Sequence, residues 1–106
     1  MSALQIWLNA REPDAPEALR RRIAEVIAAH PEWEAMRRAE ALVAAGEALL
    51  LHVLAAAPKD RAAALDLLAA DACVTYAFEA AADESSSFTE RANRAMQRIA
   101  KLAEQE

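Results

Sequence analysis

The chain contains one glycine, one cysteine, four prolines and five aromatic residues in 106 positions. Each scarcity removes a class of protein. A single glycine cannot build the glycine-rich loops that cradle phosphate in P-loop or dinucleotide-binding proteins. A single cysteine permits neither an intramolecular disulfide nor a cysteine metal site. Few strand formers and almost no turn glycines exclude a β-sandwich or a doubly wound sheet. Basic residues are outnumbered by acidic ones, 12 to 17, for a formal net charge of −5. That balance argues against nucleic acid, whose phosphates need a basic face to displace their counterions. Long apolar runs are missing too. The longest, over 48–53, is interrupted by His52 and falls far short of the roughly 20 residues that span a membrane. The first eight residues carry no basic group ahead of their apolar stretch, and Asn9 and Arg11 end it early, unlike a signal peptide. The expected location is the cytoplasm, and the expected partners include neither membrane nor nucleic acid.

What the chain has is alanine. Thirty alanines make up about half of the apolar share, and Leu, Ile, Val and Phe together number 22. Abundant Ala, Leu, Glu and Arg favour helix almost throughout. The length suits one domain with a modest core, so residues 1–106 are expected to form a single all-α unit.

Capping and periodicity divide the chain. Ser2 with Gln5 reads as a capping box for a short first helix over 3–9. The segment from Arg11 to Asp14 breaks it, and Asp14 is placed to cap a second helix with Glu17 in the capping-box position. Leu19, Ile23, Val26, Ile27 and His30 form its apolar stripe, and Pro31 ends it. A third helix is expected over 31–57, with Gly46 in the middle of its buried stripe. A mid-helix glycine costs about 1 kcal/mol relative to alanine, so a close approach by a neighbouring helix is expected there. Pro58, Lys59 and Asp60 make the next turn. A fourth helix over 61–82 is apolar nearly all round, the mark of a central helix or of one buried between subunits. A polar linker over 83–87 leads to a fifth helix over 88–103. There Phe88, Ala92, Ala95, Met96, Ile99 and Leu102 share a face opposite Arg91, Arg94, Arg98 and Lys101. Short connections favour an antiparallel bundle of four main helices with the short N-terminal helix laid across it.

No catalytic set emerges. Glu-x-x-His and His-Glu-x-x-His are both absent, which removes the bundle carboxylate and metalloprotease metal sites; no metal or cofactor is expected. Glu47 and His52 are about 140° apart on a helix and cannot chelate one ion. His52 reads as an exposed bystander, His30 as a group bonding the carbonyls of its helix end, and Cys73 as an inert packing residue. The run Arg20-Arg21-Arg22, bracketed by Glu17 and Glu25, reads as solvated surface. Asp71 is expected to be partly buried and to need a partner, either Thr75 or an arginine from another helix. With Asp66, Thr75 and Tyr76 it outlines a candidate inter-helix pocket. Ile6, Trp7, Trp33 and Leu51 outline a candidate apolar patch, unless the first helix covers Trp33 and Leu51.

Two functions fit these residues. The first is a non-enzymatic helical interaction module that self-associates, for instance as a homodimer, or docks another protein. The second is a small-molecule-binding protein or minor enzyme using the pocket around Asp71, Thr75 and Tyr76.

Overall fold

The computed structural model of the chain describes residues 2–11, 14–57 and 60–104. Among them every regular element is helical: α1 (Ala3–Arg11), α2 (Glu17–Ala28), a 3-10 helix (Pro31–Ala35), α3 (Arg38–Ala55) and α4 (Arg61–Glu104).

Ser2 does cap α1, its Oγ accepting the Gln5 N–H at 3.2 Å. The Gln5 side chain does not return the bond; it donates to the Ala24 carbonyl at 3.2 Å and ties α1 to α2. The N-cap of α2 is Pro16, with no side-chain bond, so Asp14 does not fill the role expected of it. Glu12 and Pro13, part of the expected break after α1, lie outside the described residues. His30 closes α2 as expected: its Nδ1 lies 3.1 Å from the Val26 carbonyl, which can only accept.

The expected third helix is split. Residues 31–35 form a 3-10 turn, Met36 and Arg37 are extended, and α3 starts at Arg38. The break serves Trp33. On a continuous helix Trp33 would point away from the apolar stripe; here it turns inward, 7% exposed, and stacks on the His30 ring at 4.0 Å. Burying one large apolar side chain contributes about 1.5–3 kcal/mol, enough to offset the lost helical bonds.

The expected fourth and fifth helices are one. The linker proposed over 83–87 is helical, and α4 runs unbroken for 44 residues, about 66 Å at 1.5 Å per residue. Ser85, Ser86 and Ser87 are weak helix formers, but each lacks only a few tenths of a kcal/mol to about 0.7 relative to alanine. With neither glycine nor proline there, nothing forces a break. Thr89 bonds back to the Ser85 carbonyl at 3.1 Å without interrupting the helix. At the other end Asp60 caps α4, accepting the Ala62 N–H at 2.9 Å; Pro58 and Lys59 lie outside the described residues.

The core lies between α1, α2, α3 and the first half of α4. Leu4, Leu8, Ile23, Val26, Ile27, Leu42 and Leu49 are buried there. Along the α3–α4 contact the buried residues are mostly small: Ala41, Ala45 and Gly46 against Ala69, Ala70, Cys73, Ala77 and Ala80. A Cβ on Gly46 would stand 3.3 Å from a Val74 methyl and 3.5 Å from the Ala70 carbonyl, so the glycine marks a close crossing rather than a kink. Small residues thus let two helices approach where larger ones would hold them near 10 Å.

The molecule is long. Its principal extents are 72 × 25 × 21 Å and its radius of gyration is 18.7 Å, where a compact domain of this size has about 13 Å. The excess is the second half of α4, which projects beyond the other elements as an arm.

Candidate interaction surface

Because α4 is continuous, the two apolar faces read separately from the sequence join into one. Leu67, Val74, Phe78, Ala81, Phe88, Ala92, Ala95, Ile99 and Leu102 follow one another at steps of three and four, together with Asp71 and Ser85. That is the 3.5-residue period of a coiled-coil seam. Apart from Val74, which borders Gly46 of α3, the seam's large side chains stand open: Phe78 is 75% exposed, Phe88 66% and Leu102 64%.

Beside the seam, Met36 just ahead of α3 and Glu40, Val43, Glu47, Leu50 and Leu54 on it follow one another at the same three-four spacing, all of them exposed. Between the two rows runs a groove of about 480 Å³ whose lining includes Met36, Val43, Val74 and Phe78; Glu40 and Glu47 are its only ionisable lining residues.

The neighbouring rows of α4 change character along its length. Over its first half, Ala70, Cys73, Ala77 and Ala80 face α3 and are buried. Continued in steps of seven, the same rows carry Glu84, Arg91 and Arg98, and Ser87, Arg94 and Lys101, all exposed. The flank that packs on α3 in the body is therefore strongly basic on the arm.

The four residues of the expected pocket do not converge. Asp66 is the buried carboxylate, 7% exposed. It receives a two-pronged bond from Arg22 of α2, Nε to Oδ1 at 2.5 Å and Nη2 to Oδ2 at 3.2 Å. The Asp66 bond, followed by its negative charge, holds the Arg22 guanidinium above its ordinary pKa against the opposing effect of burial. Asp71 is exposed rather than partly buried, because α3 covers the adjacent row and leaves the seam open. Thr75 is also exposed and donates to the Asp71 backbone carbonyl at 3.1 Å, not to its carboxylate. Tyr76 faces the other way, lining a cavity of about 40 Å³ with Gln5, Asn9 and Arg20, room for about one water.

The expected patch is dispersed as well. Trp33 is buried, while Ile6 and Leu51 are exposed. Trp7 is half-buried, with the guanidinium carbons of Arg11 and Arg38 5.2 and 5.1 Å from its ring centre. Arg11 also bridges Glu79 at 2.8 Å and Asp83 at 3.0 Å, fastening α1 to the middle of α4.

Arg22 is the residue the sequence reading missed: it is not simply solvated surface, since it neutralises the one buried acid found among the described residues. The available signal was Asp66 itself, a carboxylate with Ala62 and Ala70 one turn away on either side. His52, exposed as expected, accepts a bond at Nδ1 from Arg22 Nη2 at 3.0 Å, which leaves the ring proton on Nε2. Cys73 is fully buried and its thiol is pushed by desolvation from 9.0 up to about 12, so it carries no nucleophilic thiolate at neutral pH. Among the described residues no group of three or more His, Cys, Asp or Glu side chains could hold a metal ion, and no helix is long and apolar enough to cross a membrane.

The chain matches no family model, no curated protein and no solved structure.

Proposed function

We propose that this protein is a non-enzymatic interaction module that engages another protein chain through the apolar face of α4. The observation that carries this reading is the continuous, open seam on a helix whose second half, beyond the Arg11–Asp83 ion pair, is exposed along its length except at half-buried Ala92 and Ala95. An arm of 22 residues is held helical in water only weakly by its own propensity, since most helical stability in proteins comes from packing an apolar face. Phe88, Met96, Ile99 and Leu102 are each about two-thirds exposed. Full burial of such side chains contributes about 1.5–3 kcal/mol apiece. Four of them supply a gain comparable with the association cost of about 4–15 kcal/mol. On this reading the antiparallel bundle expected from the sequence is completed between chains, with the arm entering a partner's helices.

The test is fluorescence-detected sedimentation of the labelled full chain in an extract of its own cells. The unaltered chain is expected to sediment as an assembly, and the F88D/I99D double variant as a monomer with unchanged body helicity. Sedimentation of the unaltered chain as a monomer in that extract overturns the reading.

A further inference from the structure

Resting on that reading, we infer that the occupant of the groove is the arm of a second copy of this chain, laid antiparallel across a two-fold axis near residues 86 and 87. Charge selects this occupant. The groove is apolar with two carboxylates on its α3 rim, Glu40 and Glu47. The arm is apolar on its seam and basic on one flank, with Arg91, Arg94, Arg98 and Lys101.

Geometry places these flanks together. In an antiparallel two-fold pair, equivalent flanks of the two helices lie on the same side of the shared seam. The body half of that flank packs against α3, as the contact of Gly46 with Val74 and Ala70 shows. The partner's basic flank is therefore delivered to α3 and to nowhere else. A parallel pair would instead set the arms side by side, with Arg91 and Arg98 facing the neutral Met96 and Ala103 of the partner copy and α3 still open.

The same requirement fixes the register. Setting Ala81 level with the partner's Ala92, and Val74 level with the partner's Ile99, spreads the partner's four cations over the stretch of α4 that Glu40 and Glu47 border. It also puts Glu84 beside the partner's Arg91, twice by symmetry. A shift of one heptad outward draws the cations away from Glu47, and a further one sets Arg91 against the partner's Arg98. Size agrees: a stable interface needs about 800 Å² from each copy. Each copy here offers an arm about 33 Å long and a groove with exposed Met36, Val43, Val74 and Phe78.

Cysteine substitution in the full chain tests the arrangement, and the native Cys73 is buried and out of reach. A mixture of A81C and A92C is expected to form a mixed disulfide on mild oxidation, whereas A92C alone is not. Charge reversal supplies the second arm of the test. R94E/R98E is expected to raise the dimer Kd at least tenfold, and E40R/E47R combined with it to restore most of the loss. Self-crosslinking of A92C in a protein that is dimeric means a parallel or shifted pair, which overturns this inference while the interaction-module reading stands. A monomer in purified form at 100 µM, yet an assembly in extract, also overturns it and assigns the groove to a different protein. A monomer in both overturns this inference and the broader reading alike.

Discussion

Arg22 and Asp66 show how one residue's role depends on a partner 44 positions away. Removing Arg22 strands a carboxylate that is nearly sealed from water, and stranding a buried charge costs about 3–5 kcal/mol. Because the Arg22 side chain keeps a quarter of its surface exposed, about 2–3 kcal/mol is the expected loss for R22A. In R22A/D66A neither charge is left behind. The double variant is therefore expected to be more stable than the sum of the single changes implies, by about 1 kcal/mol or more. Urea unfolding of the four proteins of this cycle gives the coupling directly, and strict additivity would show that the pair contributes nothing. Cys73 gives a residue-scale dependence on pH. The folded thiol is held protonated up to about pH 12, while the unfolded one ionises near its ordinary 9.0. Between those values the unfolded state has fewer bound protons, so stability falls as pH rises. Thiol-reagent labelling at pH 8 is accordingly expected to proceed only at the rate of unfolding, and rapid labelling of the native protein would contradict the burial. Neither role was fully legible beforehand. The sequence marks Cys73 as lacking a basic neighbour one turn away, but it gives no sign of which arginine meets Asp66, a contact that depends on how α2 crosses α4.

At the scale of elements, Gly46 decides how closely α3 can lie on α4. Alanine there regains about 1 kcal/mol of helix propensity but sets its Cβ 3.3 Å from a Val74 methyl. Val74 stands at the open seam and can turn aside, so G46A is expected to change stability by less than about 1 kcal/mol. Leucine has no such outlet against the Ala70 carbonyl and Cys73, and G46L is expected to cost about 3 kcal/mol by overpacking. Guanidinium unfolding midpoints of the two variants check both values; a G46L protein as stable as the parent would mean that the helices are not in contact there. The close crossing was legible from a glycine on the same stripe as Ala39. The junctions were not. Three serines and a preceding Asp-Glu pair look like a linker, yet weak helix formers yield to the propagation of a helix already begun, whereas Trp33 ends one by seeking the core.

For the whole molecule, the all-helical architecture follows from composition and periodicity, since alanine-rich amphipathic segments have no competing way to bury their stripes. The outline does not follow. A bundle read from five separate helices is compact, and fusing the last two carries 22 residues out of it. Segment by segment, the seam appears as two unremarkable apolar faces; only when Phe78 and Phe88 are known to share one helix does their common 3.5-residue period become visible. The candidate pocket failed to assemble for a related reason: Asp66, Asp71, Thr75 and Tyr76 are close in sequence but point to different sides of α4.

The arm also sets where the fold opens first. Over 83–104 every residue except the half-buried Ala92 and Ala95 is exposed, so its turns can unwind without uncovering the core of the body, and their opening free energy lies at the low end of the range found within one protein. Amide hydrogens of the arm are therefore expected to exchange with solvent first, while those of Leu42 and Leu49 wait for the whole body to open.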